Sequence, residues 1–339
     1  MEYANISVII PVRNEERYIR DCVKSIFDQD YPADKMEVIF VDGQSTDGTV
    51  SILTELKREY PQIVVTENPQ KIAPCAMNIG IRMAKNDIIV RLDAHAEFER
   101  DYLRLCVETL LTQDCDDAGG CAITRGRGYL GGVIAEVLST SLGVGNSSFR
   151  IGAKSGYVDT VPFGCFRKSL FDRIGLYDER LVRNQDSELS HRIIKNGGKI
   201  YLNSDIKFTY YCRDTIRGLA KYAYSNGLWN VITMYLIPGS MRLRHFVPLF
   251  FVSSLIGLPT LIFLSAFLLP AWCGFLVGGA FSVELMAYFS LVALFSLKIA
   301  RKKGAGAFAV AAFVFPLFHI SYGIGSLMGF AKLRAFKSA

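Results

Sequence analysis

Asp93-Ala94-His95 stands where the apolar run Ile88, Ile89, Val90 and Leu92 stops. Such a run reads as a short buried strand. A carboxylate and an imidazole two residues apart at a strand end can turn toward one divalent cation, and a cation there would hold a diphosphate. A plainer use exists: Asp93 as the cap of a helix opening near Glu97, with His95 a solvated loop residue. Two more polar turns follow apolar runs. Arg13-Asn14-Glu15-Glu16 comes after Asn5 to Pro11, and Asp42-Gly43-Gln44-Ser45-Thr46-Asp47-Gly48-Thr49 after Met36 to Val41. A carboxylate in such a turn can accept the imide N–H of a uracil ring, and a second one a ribose hydroxyl. Asn14, Asp42 and Asp47 are equally favoured turn and N-cap residues.

These turns need a frame. Strands are expected over 5–11, 36–41, 63–66 and up to Asp93, with helices running to about 29, over 49–60 and over 73–84, the last carrying Asn78 and Gly80. Alternation at this spacing gives parallel βαβ units in an open sheet, whose carboxyl edge is where ligands bind. A helix from Glu97 to about 112 and a strand over 119–123 come next. Thr124-Arg125-Gly126-Arg127-Gly128 then breaks the pattern before a small, apolar helix over 130–142 and a glycine- and serine-rich loop to Gly156. A loop of that length is either a surface excursion or a lid; as a lid, Arg125, Arg127, Arg150 or Lys154 would meet phosphate. A last strand is expected over 205–211. A helix over 215–236 mixes Arg217, Lys221, Tyr222, Tyr224 and Trp229, which suits a membrane interface or packing on the domain.

The 339 residues are 50% hydrophobic, and the excess sits at one end. Mean hydropathy is +0.24. Phe246 to Leu297 holds no Lys or Arg and one acid, Glu284; Gly304 to Ala331 holds no fixed charge. Phe246 to Leu269 would reach about 36 Å as a helix against a hydrocarbon core of about 30 Å. Further spans are expected over 271–297 and 305–330, the last interrupted by Pro316 and several glycines. Arg242, Arg244 and Lys298 to Lys303 favour the cytosol, whereas a third full span would carry Lys332, Arg334 and Lys337 outside. The net charge of +6 comes without a basic arm, so a membrane surface and not nucleic acid is the anionic neighbour. Eight scattered cysteines without a Cys-x-x-Cys pair read as reduced apolar residues, and the N-terminal residues lack the pattern of a signal peptide.

Val-Ile-Ile-Pro-Val-Arg-Asn-Glu-Glu (8 to 16), Val-Asp-Gly-Gln-Ser-Thr-Asp-Gly-Thr (41 to 49), Asn-Ile-Gly (78 to 80) and Leu-Asp-Ala-His (92 to 95) resemble the successive motifs of family 2 glycosyltransferases. Bacterial enzymes of the succinoglycan glucosyltransferase type are the group most alike. The resemblance covers about residues 4 to 230. It implies an α/β GT-A fold, a mostly parallel open sheet flanked by helices, followed by an all-α transmembrane region. The domains would be 1–212 (cytosolic and catalytic), 213–244 (interfacial helix), 245–331 (transmembrane) and 332–339 (basic tail). Pro11, Arg13, Asn14, Glu15, Asp42, Asp47, Asn78 and Asp93 would bind the nucleotide-sugar, and Asp93 with His95 would hold Mn2+ or Mg2+. His95 stands where the family's usual Asp-x-Asp segment has its second acid.

Further along, Arg183-Asn184-Gln185-Asp186-Ser187-Glu188-Leu189-Ser190-His191-Arg192 is similar to the family block that supplies the base of an inverting transfer, which places that role on Asp186. Glu188 and Arg192, four apart, fit a helix ion pair better. Gln185, Arg125, Arg127 and Trp229 would face the acceptor or the diphosphate. Ser225-Asn226-Gly227-Leu228-Trp229 keeps only the Trp of the Gln-x-x-Arg-Trp motif of processive synthases, which disfavours a polymerising enzyme. The function implied by the resemblance is inverting transfer of one sugar from a nucleotide-sugar, a UDP-hexose, to a polyprenyl-diphosphate-linked saccharide at the inner membrane. Alternatives are a polyprenyl-phosphate sugar synthase and, from another class, a non-catalytic nucleotide-binding scaffold or transporter component. No motif fixes an oligomeric state.

Overall fold

A computed structural model describes residues 3–268 and 270–336. The chain divides into two compact units, Met1–Ile123 with Ser148–Tyr211, and Thr124–Ser147 with Cys212–Ala339. The expected boundary at residue 212 is one of the crossings, but residues 124–147, expected in the first domain, belong with the second unit. Leu269 and Lys337, the latter named among the basic tail residues, lie outside the described residues.

The first unit runs β1 (Ile6–Val12), α1 (Ile19–Phe27), β2 (Met36–Asp42), α2 (Thr49–Glu59), β3 (Ile63–Glu67), α3 (Ala73–Met83), β4 (Ile88–Arg91), β5 (Ala96–Phe98), α4 (Tyr102–Thr112) and β6 (Asp117–Arg125). After the second unit's α5 (Gly128–Val137) and α6 (Ser141–Val144) it resumes with β7 (Gly156–Val158), β8 (Cys165–Arg167), α7 (Ser169–Ile174), α8 (Gln185–Lys195) and β9 (Ile200–Tyr211). β1 is covered on both faces, which is why it reads as an unbroken apolar run. Ile6, Val8 and Ile10 face one core with Ile19, Val23, Leu53 and Tyr102, while Ile9 faces the other with Met77, Ile81 and Ile89. A side chain on Gly80 would collide with Ile9, so α3 lies directly on β1 only because that residue is glycine.

The strands form a nine-stranded sheet in the order β3-β2-β1-β4-β8-β6-β9-β5, with β7 on β9. β1 pairs in parallel with β2 (Val12 opposite Asp42) and with β4 (Ile9 opposite Arg91). From β4 onward the pairing is antiparallel, as in β4–β8, β6–β8, β5–β9 and β7–β9. The sheet is therefore mixed, and the parallel arrangement expected of most of it belongs to β1–β4. Those four strands bring the turns after β1, β2 and β4 to one edge. A strand, β5, and not a helix follows Asp93, which removes the helix-cap role for that residue.

The second unit adds α9 (Ile216–Leu236), α10 (Val247–Leu268), α11 (Ala271–Lys303) and α12 (Gly306–Phe336) to α5 and α6. Three stretches, Leu243–Leu268, Trp272–Lys303 and Gly306–Leu333, are long and apolar enough to cross a membrane. The expected interruption of the third is absent: α12 continues through Pro316 and its glycines. The glycines are contact points. A side chain on Gly325 would strike the Tyr224 backbone, and one on Gly227 of α9 would strike the Tyr322 carbonyl. α9 is thus packed along α12, burying Leu219, Ala223, Leu228, Val231 and Ile232. Glu284 accepts a hydrogen bond from Ser254 at 2.5 Å, and His319 bonds Tyr288 and the Leu142 carbonyl, both at 2.9 Å.

Candidate active site

The turns after β1 and β2 interlock. Asn14 takes φ 57°, a conformation Asn tolerates better than most residues. There its Oδ1 accepts the Thr46 N–H at 2.8 Å, and its own N–H donates to Ser45 Oγ at 2.8 Å. The Glu15 N–H donates to Thr49 Oγ1 at 2.8 Å. Asp42, at the end of β2 and 4% exposed, accepts from the Ser45 N–H and hydroxyl. A carboxylate has about four acceptor positions, so Asp42 keeps capacity for a ligand. Pro11 lies in β1 opposite Val41, and Arg13 covers Gly43.

Two of the expected nucleotide residues, Asp47 and Asn78, make hydrogen bonds to neighbouring turns and loops. Asp47 accepts from the Thr49 hydroxyl and N–H and from the Glu16 N–H, tying the start of α2 to the first turn. Although partial burial pushes its carboxyl up, these hydrogen bonds hold it below the ordinary Asp range. Asn78, 2% exposed, donates to the Tyr177 carbonyl at 2.9 Å and to Glu179 at 2.8 Å, and accepts the Tyr177 N–H at 2.9 Å. Both amide groups are used on the loop that leads to α8.

At the tip of β4, His95 Nδ1 stands 3.3 Å from Glu15 Oε1 and 3.6 Å from Asp93 Oδ1. The three side chains are 45, 18 and 29% exposed, respectively, so the cluster is open to a ligand. Among the described residues no group of three or more His, Cys, Asp and Glu side chains forms a metal cage. Two or three mixed oxygen and nitrogen donors at an open position fit a hard or borderline divalent ion that completes its shell with phosphate oxygens and water.

Asp186 lies in the first turn of α8, which begins after Asn184 at φ 63°. A helix N-terminus favours a carboxylate. Its Oδ1 is in ion-pair contact with Nη1 of Arg91, the last residue of β4 and two residues before Asp93. Residues 93 and 186, far apart in sequence, are thereby brought to the same strand end. Glu188 and Arg192 are the structural pair expected: Arg192 donates to Glu188 through both Nε and Nη2, the latter at 2.8 Å, while Nη1 donates to the carbonyls of Ile174 and Gly175 and Nη2 also to that of Leu176. Gln185 is the first residue of α8, next to Asp186. Arg125, Arg127 and Trp229 belong to the second unit. In the expected lid, Arg150 lies over the Tyr210 ring at 4.9 Å, and the segment is tied down by the Ala122 N–H on the Phe149 carbonyl at 2.8 Å.

Sequence reasoning passed over Arg91, Asp117 and Tyr177. The signal was present: a charged residue inside the apolar run Ile88 to Leu92 must be buried, and a buried charge requires a partner. Which partner it had was not written locally.

A mixed α/β sheet that gathers acid-rich turns at one edge is the arrangement of the GT-A fold. A family model described as glycosyl transferase family 2 matches residues 7–174. The chain is 33% identical over 229 residues to the dolichyl N-acetyl-alpha-D-glucosaminyl phosphate 3-beta-D-2,3-diacetamido-2,3-dideoxy-beta-D-glucuronosyltransferase of Methanococcus voltae, covering 66% of this chain and 71% of that one. It is 29% identical over 247 residues to succinoglycan biosynthesis protein ExoA of Rhizobium meliloti, covering 71 and 74%. Mannosyltransferase PcManGT from Pyrobaculum calidifontis, solved with GDP-Man and Mn2+, superposes with a TM-score of 0.62 at 19% identity over 96% of this chain and 88% of its own. The chain belongs to glycosyl transferase family 2 and is a glycosyltransferase with three helices able to cross a membrane.

Proposed function

We propose that the protein is an inverting, metal-dependent glycosyltransferase that moves one sugar from a UDP-hexose to a polyprenyl-diphosphate-linked saccharide. The observation that carries this is the Arg91–Asp186 contact, which ties a carboxylate at the start of α8 to the strand end that bears Asp93 and His95. Asp42 accepts the imide N–H of the base, and the turns around Asn14 and Glu15 line the nucleotide. Asp93 and His95, with Glu15 beside them, would hold Mn2+ or Mg2+. The chemistry such an ion supplies when bound is neutralisation of charge on the departing diphosphate. Asp186 takes the proton of the acceptor hydroxyl as its oxygen attacks the anomeric carbon from the face opposite the diphosphate; the bond to the diphosphate oxygen breaks and the configuration inverts. A base of this kind contributes about 10²- to 10⁴-fold in rate.

The two relatives are named for transfer to a dolichyl phosphate saccharide and for succinoglycan biosynthesis, which supports a lipid-linked acceptor. The three apolar helices suit an enzyme whose acceptor stays in the bilayer, and the basic residues Lys298, Arg301, Lys302 and Lys303 at the end of α11 support a cytosolic orientation for that end. The test is nucleotide release from a panel of sugar nucleotides by the purified full-length protein, with and without a polyprenyl-diphosphate hexose. Release of UDP that depends on the lipid acceptor is expected. Turnover with polyprenyl phosphate alone, unaffected by Asp186→Asn, would replace this function with that of a polyprenyl-phosphate sugar synthase; no nucleotide release from any donor would leave a binding scaffold.

A further inference from the structure

Arg91 is 6% exposed, yet it is the residue through which Asp186 reaches the sheet. Its backbone is fixed on both sides: Arg91 lies opposite Ile9 in the β1 ladder, and its N–H donates to the Gly164 carbonyl at 3.0 Å. Its guanidinium has few partners. Nε is buried without a hydrogen-bond acceptor among the described residues, and Nη1 reaches only the Asp186 carboxylate. The Tyr177 side chain hydrogen-bonds the guanidinium, and Tyr177 is itself held by Asn78 through its backbone N–H and carbonyl. Asp117 also lies near, 2% exposed, with Oδ1 unpartnered. Burial first, and then the charge of Asp116, pushes the Asp117 carboxyl well up, against the opposing effect of Arg91. Asp186 is the carboxylate in ion-pair contact with Arg91. A buried cation with one ionised partner fixes that partner more strictly than hydrogen bonds to neutral groups would.

We propose that Arg91 is a positioning residue that holds the Asp186 carboxylate in the orientation from which it meets the acceptor hydroxyl, with Asn78 and Tyr177 fixing the guanidinium from behind. This rests on Asp186 being the base. Asp186 stands at a helix start after a residue in the left-handed region and is 38% exposed on its side chain, so the helix alone leaves it free to turn to solvent. Arg91 removes that freedom, and because it sits on the strand that carries Asp93, it also ties the base to the leaving-group end of the site.

The test combines Arg91→Gln, Arg91→Lys, Asp186→Asn and the Arg91→Gln/Asp186→Asn double variant of the full-length protein. Transfer is measured from a UDP-hexose to polyprenyl-diphosphate hexose, and donor-side integrity as the Kd of UDP with Mn2+. Arg91→Gln is expected to lower kcat at least tenfold with the UDP Kd within twofold of the parent, and to change the residual rate less than twofold when added to Asp186→Asn, since residues acting as one unit are not additive. An equal loss in both backgrounds, a UDP Kd that weakens in step with kcat, or an unchanged kcat would each overturn the inference. Should Arg91→Gln fail to fold, Arg91→Lys carries the test: it keeps the charge but loses the fork, and a lowered kcat at constant UDP affinity supports the role, whereas full activity overturns it. Asp186→Asn with undiminished transfer would remove the base itself, an outcome distinct from an inactive Asp186→Asn alongside a fully active Arg91→Gln.

Discussion

The two ends of the active site are built on different physical terms. On the nucleotide side, the turns after β1 and β2 satisfy one another: Asn14, Ser45, Thr46, Asp47 and Thr49 exchange hydrogen bonds of about 3 Å, and their carboxylates are spent largely on local backbone N–H groups. On the Asp186 side, a buried guanidinium meets a carboxylate that reaches it from a helix almost one hundred residues later, and Arg91 Nε and Asp117 Oδ1 have no hydrogen-bond partner among the described residues. The first end is held together by its own side chains. The second sets a buried ion pair beside polar groups at the position of the proposed base.

That contrast is open to breaking by substitution. The largest effect is expected from Asp186→Asn, a drop in kcat of about 10²- to 10⁴-fold with UDP affinity little changed, measured by steady-state transfer and by titration. Weakened UDP binding in step with the rate would erase the distinction between the ends. Next comes Asp93→Asn, for which the Kd of UDP in the presence of Mn2+ should rise at least tenfold while the Kd without metal stays within about twofold. Asn78→Ala removes three buried hydrogen bonds and should cost about 1–3 kcal/mol of stability by denaturant or thermal unfolding, lowering kcat more than it weakens UDP binding because the lost anchor is that of the Tyr177 loop.

Asp47→Ala should cost about 1 kcal/mol, as lost helix caps do, and shift kcat by less than about threefold. A large rate effect there would mean that the residue touches substrate after all. Asp117 offers a pH test. Its pKa is raised in the folded state, so the folded protein binds the extra proton, and stability falls as pH rises from the ordinary Asp range toward the folded pKa. Asp117→Asn is expected to raise the melting temperature at pH 8 relative to the parent and to leave it unchanged near pH 4, as read by scanning fluorimetry.

The strand-and-helix order of the first half was legible because each β1–β4 strand is a run of apolar residues closed by a polar turn, and both signals are local. Asp42 and the Asn14–Glu15 turn could be placed at the carboxyl edge of the sheet on that basis, while their binding role came only from the family resemblance. The hydrogen bonds of Asn78 to Tyr177 and of Asp47 to Thr49 were not legible, since an amide on a helix and an acid in a turn look the same whether they face a ligand or a neighbouring loop. The helix over 216–236 was open to two uses for a related reason: its aromatic and basic side chains suit an interface or packing, and the close approach to α12 that Gly227 and Gly325 allow is not written in its own sequence. The extent of antiparallel pairing was also beyond reach, because β5, β7 and β8 are three-residue strands too short to show a period.

What the amino-acid order determined by itself was the set of chemical groups available, the parallel half of the sheet that gathers three turns at one edge, and the division between a mixed polar domain and a hydrophobic end. These follow from periodicities and turn preferences acting within about ten residues. Only the tertiary structure decided that Arg91 meets Asp186, that Asn78 supports Tyr177, and that residues 124–147 join the apolar helices. Each of those contacts depends on how segments far apart along the chain pack, and packing is settled by the shape and burial of whole elements instead of by the residues adjacent in sequence.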